Sequence, residues 1–229
     1  KAASAVDAQL VPISRYDLNI ASGILNTVKE NNISEVVLGL HHKANIVDSF
    51  FGTKIENMLR GTHKMIWITK CSTPPGTTSR IIVSVPPMAE YETGFAIWID
   101  RLANISQQVG CRICFYAYEA TVPHIRALLN SRPHKVRHEY TVVESWDDML
   151  SLSNIVNEDD LFVVVSARRA SVSFNTDYEK LPAFLSQYFA DNNLIVLYPE
   201  QFGKANPVIT TFHDPLAQSP ESSSHGLLG

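Results

Sequence analysis

The sequence predicts an α/β protein built on a doubly wound, mainly parallel sheet, and three observations carry that prediction. Strand-sized apolar runs bounded by turn residues recur along the chain, helical apolar stripes lie between most of them, and after residue 79 the two alternate strictly. Such alternation calls for crossover helices on both faces of a parallel sheet. The composition agrees: 45% hydrophobic and 18% charged residues in a chain of 229 are enough for a packed core.

Taken in order, Ala8 to Ile13, Glu35 to Leu40 and Lys64 to Thr69 read as strands. Between them, Ile20, Ile24 and Val28, and then Ile55, Met58 and Leu59, repeat at helical spacing. Residues 71–79 hold Pro74, Pro75 and Gly76, which suit neither a helix interior nor a central strand, so a linker is predicted there. Arg80 to Val85 follows as a strand, expected in the middle of the sheet because the most hydrophobic helix comes next. That helix carries Phe95, Trp98, Ile99, Leu102, Ile105 and Val109 on one face. Arg112 to Tyr118, Lys135 to Val143, Leu161 to Val165 and Leu194 to Tyr198 complete five strands, and Phe184, Leu185, Tyr188 and Phe189 mark the last helix. Residues 204–229, with Pro215, Pro220 and Ser222 to Ser224, have little to bury and are expected to form a largely disordered tail.

The halves echo each other. Glu35 to Leu40 aligns in character with Asp160 to Val165, Lys64 to Thr69 with Asn193 to Tyr198, and Ala8 to Ile13 with part of Lys135 to Val143. Residues 1–70 are therefore expected to be the last three strands of a first repeat and residues 80–203 a complete second one, in a chain cut within the first repeat of a longer protein. A single sheet that carries residues 1–70 as an appendage is the alternative.

Several function classes drop out. A net charge of −4 gives no footprint for nucleic acid. Apolar runs such as Leu161 to Val165 are strand-sized, far short of the roughly 20 residues of a membrane span, so no direct membrane insertion is expected. Three cysteines make no disulfide framework, which suits a reducing cytoplasm. Cys111 and Cys114 would face opposite sides of a strand, so buried thiols are expected. His41 and His42 are adjacent and would diverge, and no metal is predicted. Trp67, Trp98 and Tyr198 fall in apolar periods and read as core, while Asp147 and Asp148 sit where a helix should start.

One segment has chemistry to offer. Strand Glu35 to Leu40 ends in Gly39, and a loop leads to Gly52 and Thr53, where Thr53 and Glu56 have capping-box spacing ahead of Ile55, Met58 and Leu59. A helix should start at Thr53. Its first-turn amides lack intrahelical partners and lie at the positive end of the dipole, so a phosphate can dock on Gly52 and Thr53.

Gly39, His42, Gly52 and Thr53 resemble the nucleotide-binding loop of the universal stress protein family, with His42 standing where the family has its middle glycine. The resemblance implies an adenine nucleotide, ATP or AMP, lined by Gly39, Leu40, His42, Gly52 and Thr53. The counterpart in the second repeat, Ser166 to Ser171, has no glycine and is expected not to bind; Arg168 and Arg169 read as a solvated loop or as partners for a phosphate. Tandem repeats of this kind over residues 6–203 resemble the cytosolic C-terminal region of monovalent cation:proton antiporters. That resemblance implies a non-catalytic regulatory or sensor domain of a Na+ or K+/proton antiporter at the cytoplasmic face of the plasma membrane. It also implies a homodimer and a link to a membrane transport domain of the same polypeptide. The alternative is a free-standing universal stress protein that binds or slowly hydrolyses ATP.

Overall fold

The computed structural model describes residues 10–40, 51–71 and 73–201. Along the chain run α1 (Ile20–Glu30), β1 (Glu35–Gly39), α2 (Thr53–Gly61), β2 (Met65–Lys70), β3 (Arg80–Ser84), α3 (Phe95–Val109), β4 (Arg112–Ala117), α4 (Val122–Ser131), β5 (His138–Val142), α5 (Trp146–Leu150), β6 (Asp160–Val165), α6 (Leu181–Tyr188) and β7 (Asn193–Tyr198). The seven strands form one sheet in the order β1-β2-β7-β6-β3-β4-β5. Every pairing is parallel except β2 with β7, where Ile68 lies opposite Val196. The fold class is thus a doubly wound, mostly parallel α/β sheet, and β3 lies centrally between β6 and β4 as its apolar run and following helix require.

Strand alternation sorts the core into two layers. Ile66, Ile68, Phe162, Val164, Leu194 and Val196 face one side, under α1, α2 and α6. Met65, Trp67, Ile81, Val83, Val163 and Leu197 face the other, under α3 and α4. The helices start and stop for identifiable reasons. The side chain of Asn19 accepts the Ser22 N–H ahead of α1, Ser145 and Asp148 form a capping box ahead of α5, and Gly110 ends α3 at φ +79°, a conformation that suits a residue without Cβ. At the amino end of the sheet, Arg80 clasps the fully buried Asp160, its register partner on β6, through Nε at 2.9 Å and Nη2 at 2.5 Å.

Two expectations need correction. Ala8 and Gln9 lie outside the described residues, and Leu10 to Ile13 is not a strand: Leu10 and Val11 are 75% and 72% exposed, and among the described residues no strand lies alongside to supply the ladder that would hold them extended. Residues 13–17 are held instead by side chains on α1, with Arg15 reaching Glu30 at 2.8 Å and Asp17 reaching Asn26 at 2.9 Å. The second correction concerns the sheet, which is continuous, with β1 and β2 joined to the other five strands through the β2·β7 ladder. The tail expected at 204–229 lies outside the described residues.

Candidate functional site

The candidate loop runs from the carboxyl end of β1 to the amino end of α2. Leu40 adds one more rung to the ladder, donating its N–H to the Thr69 carbonyl at 2.8 Å, and its side chain packs with Phe51 against the core beneath α1 and α2. Gly39 is exposed, and a Cβ built on it would meet nothing within 4 Å, so neither space nor backbone angle demands a glycine there. His42 lies outside the described residues.

The helix begins at Thr53 as expected, but its cap differs. Gly52 occupies the N-cap in extended conformation (φ −71°, ψ 172°), and its carbonyl accepts from the amides of Ile55 at 2.9 Å and Glu56 at 3.1 Å. Thr53 is the first helical residue and makes no side-chain cap, so the Thr53–Glu56 spacing does not act as a capping box. The amides of Thr53 and Lys54 precede the first intrahelical bond and are the groups a phosphate would engage. Glu56 puts a carboxylate into the same turn, and Lys54 offsets it.

The position of this loop in the sheet departs from the expectation. Ligand crevices in open α/β sheets form where strand order reverses, which in the described sheet is between β3 and β6. Gly39 instead ends the outermost strand, so the loop has one wall among the described residues.

The reversal between β3 and β6 is packed with the chain's own side chains. Ser84 at the end of β3 is fully buried with its Oγ 3.1 Å from the Met149 sulfur, and Tyr178 is buried nearby in the core layer that contains Met149. Glu92 accepts from Ser173 N–H at 3.0 Å and from its hydroxyl at 2.7 Å.

Arg168 corrects the solvated-loop expectation most directly. It is only 7% exposed and donates to three main-chain carbonyls around the end of α2: Leu59 at 2.6 Å, Thr62 at 2.7 Å and Lys64 at 2.7 Å. Burial pushes its guanidinium down to about 10. The guanidinium therefore serves the C-terminal end of a helix, where carbonyls lack partners, and is committed to structure. Arg169 is exposed, as expected. Nothing local in the sequence marks Arg168 as the buried one of the two, because its acceptors lie more than 100 positions earlier in the chain.

The packing agrees with the buried-thiol and core readings. Cys111 and Cys114 are buried in opposite layers, Trp67, Trp98 and Tyr198 are core, and among the described residues no helix is long and apolar enough to cross a membrane. No cluster of three metal-binding side chains occurs among the described residues.

No family model matches the chain, and no curated protein matches it significantly in sequence. Solved structures do. The chain is similar to a universal stress protein from Archaeoglobus fulgidus DSM 4304 at 12% identity, covering 79% of this chain and 65% of that one, with a TM-score of 0.49. It is also similar to a protein from Pseudomonas aeruginosa UCBPP-PA14 assigned to the universal stress proteins, at 10% identity, covering 87% of this chain and 76% of that one, with a TM-score of 0.51. The chain has a universal-stress-protein-like α/β fold. At these identities the likeness carries the arrangement of elements and no assignment of ligand or chemistry.

Proposed function

We propose that this chain is a two-unit, universal-stress-protein-like regulatory module that senses an adenine nucleotide, and that it serves as the cytosolic C-terminal region of a monovalent cation:proton antiporter. One observation carries the two-unit reading. A single offset separates Asn19 from Ser145, both N-caps, Ile20 from Trp146, where α1 and α5 start, and Glu35 from Leu161 on β1 and β6. Beyond the loop an offset two residues longer separates Thr53 from Leu181, where α2 and α6 start, and Met65 from Asn193, the register partners of Glu35 and Leu161. Even single hydrogen bonds repeat: Leu40 to Thr69 and Ser166 to Leu197, both at 2.8 Å. The antiparallel β2·β7 ladder is the seam between these two like halves.

The halves differ where a ligand would sit. The first keeps Gly39, Gly52 and Thr53 at a helix start, and the loop after β6 in the second has no glycine and carries the buried Arg168 and Tyr178. One loop with glycines and one without is the pattern that supports the antiporter resemblance. In that reading ATP or AMP docks on Gly52 and Thr53, no bond is broken, and the signal passes to a membrane transport domain of the same polypeptide, at the cytoplasmic face of the plasma membrane and in a homodimer. The second reading, a free-standing universal stress protein that binds or hydrolyses ATP, is favoured by the likeness to the Pseudomonas structure. Calorimetric titration with ATP and AMP, followed by an assay for phosphate release, tests both. Saturable binding without release supports the sensor, turnover supports the alternative, and no heat with either nucleotide removes the sensing role.

A further inference from the structure

We infer that a cleft at the amino ends of β3, β4 and β6, flanked by Arg112 and Arg137, is a binding site for a phosphate dianion, free or carried as the monoester of a small molecule. The ladders put like charges abreast. Arg80 on β3 is the register partner of Arg112 on β4. One residue before the Ile113–His138 pair, Arg137 comes alongside Arg112, and its carbonyl accepts the Ile113 N–H at 2.9 Å. Neighbouring strands lie about 4.8 Å apart and register partners share a face, so three arginine side chains leave adjacent strands at one level. Like charges set directly opposite one another destabilise a sheet unless something neutralises them.

Neutralisation runs out along this row. Arg80 is matched on its other side by the fully buried Asp160, which takes both its Nε and its Nη2. Arg112 gives Nη1 to Glu139 at 2.9 Å, but the two side chains are 45% and 59% exposed, where an ion pair contributes little. Arg137 has no carboxylate partner among the described residues; its Nη2 donates to the Gly110 carbonyl at 2.8 Å, at the end of α3. The Nε and Nη2 of Arg112 and the Nε and Nη1 of Arg137 therefore have no protein acceptor among the described residues.

These groups meet in a cleft of about 510 Å³, whose lining sets the three arginines against two aspartates, Asp159 and Asp160. Both carboxylates are engaged, Asp160 by Arg80 and Asp159 by the Ser79 hydroxyl. The surplus is positive in a chain of net charge −4, and Lys135, exposed and two residues before Arg137, adds to it. The chemistry of the ligand follows from two guanidinium forks side by side. A carboxylate has two oxygens and is filled by one fork, whereas a phosphate dianion offers three and takes donors from both arginines. Outside the described residues the acidic side chains are few: Asp7, Asp48, Asp214 and Glu221. Asp48 lies between Leu40 and Phe51 in the chain, which bracket the connection from β1 to α2, and β1 is the opposite edge strand of the sheet.

Calorimetric titration of the full chain with inorganic phosphate, against sodium chloride at matched ionic strength, tests this. Saturable binding is expected, weakened roughly tenfold or more by Arg112→Gln and by Arg137→Gln. Arg126→Gln removes the same charge from the other face, where the guanidinium lies over Tyr140, and should change the affinity less than about twofold. Arg137→Lys, which keeps the charge and loses the fork, should fold as the unchanged chain does and bind more weakly, so the site stays testable where a glutamine variant melts early. Ribose 5-phosphate separates the sources: tighter binding than inorganic phosphate identifies a monoester and equal or weaker binding the free ion, and both support the site. Heat no greater than that of chloride overturns the inference, as does an equal loss in Arg126→Gln. Binding that appears only when Asp7, Asp48, Asp214 and Glu221 are all changed to their amides makes an acidic side chain of this chain the occupant, and overturns it too. Phosphate binding lost in Gly52→Trp but kept in Arg137→Gln would place the anion at the start of α2, which sinks this inference and leaves the nucleotide sensor standing.

Discussion

Arg168 donates to the Thr62 carbonyl at 2.7 Å, and this bond crosses the seam: the arginine follows β6 in the second half, and the threonine caps α2 in the first. Together with the bonds to Leu59 and Lys64 it makes one side chain the hub of three main-chain acceptors. The helix it holds is the one whose other end carries Gly52 and Thr53. The loop after β6 thus fixes the helix that starts at Thr53.

Replacing Arg168 with Met should therefore cost about 3 kcal/mol, because buried carbonyls lose charge-assisted donors while the packing volume is roughly kept. Arg168→Lys should recover less than half of that, since one ammonium cannot span three acceptors as a planar fork does. Urea titration reads both as a lower midpoint at unchanged slope. A midpoint unmoved by Arg168→Met would show the seam to be held elsewhere.

Gly94 makes a second prediction, at the start of α3. A Cβ there would lie 2.6 Å from the Glu200 amide nitrogen and 2.8 Å from its carbonyl oxygen, main-chain atoms that cannot rotate away. Gly94→Ala should destabilise by about 2 kcal/mol through overpacking. Gly39→Ala, with open space around it, should change stability by less than about 0.5 kcal/mol. Thermal melts of the two variants side by side separate a steric glycine from a permissive one.

Alkaline pH should unfold the protein earlier than its carboxylates would suggest. Burial pushes the Tyr198 phenol up to about 12 and also raises that of Tyr178. Unfolded tyrosine ionises near pH 10, so the folded state holds protons that the unfolded state has lost. The stabilising contribution is full below pH 10 and disappears as pH rises through about 12, about 3 kcal/mol for Tyr198. Tyrosinate absorbance and circular dichroism should change together in that window, and Tyr198→Phe should flatten the slope. Tyrosinate appearing near pH 10 with the fold intact would contradict the burial.

Much of this was legible before any coordinates. The stripes at Ile20, Ile24 and Val28 and from Phe95 to Val109 are helices because one face of each meets the sheet, and the apolar run of Arg80 to Val85 is central because both its faces are covered. The correspondence read between the two halves of the sequence differs by one residue from the pairing of the ladders. Glu35 resembles Asp160 in charge, yet the ladders equate it with Leu161, and a one-residue slip exchanges the two faces of a strand. Side-chain character cannot fix that register; the hydrogen bonds do. Leu10 to Ile13 misled because strand propensity is local and pairing is not. Arg168 was invisible for the same reason: a buried cation is identified by its acceptors, and these are main-chain carbonyls on another element.

The last prediction concerns the loop after β1. Gly52 lies at the N-cap and Thr53 opens the helix, so the donors available to an anion are main-chain amides that any bulky side chain at 52 would screen. Gly52→Trp should therefore abolish calorimetric binding of ATP and AMP, and it should leave stability nearly unchanged, since the N-cap makes no side-chain bond and its φ of −71° is open to every residue. His42 stands between Gly39 and Gly52 in sequence, where the resembling family has a glycine, and His42→Gly should preserve or tighten binding by letting the main chain come closer to the phosphates. The pair discriminates sharply. Heat only in His42→Gly identifies a loop whose affinity the histidine has removed. Equal heat in Gly52→Trp and the unchanged chain means that the nucleotide sits elsewhere, and the amides of Thr53 and Lys54 are then only the start of a helix.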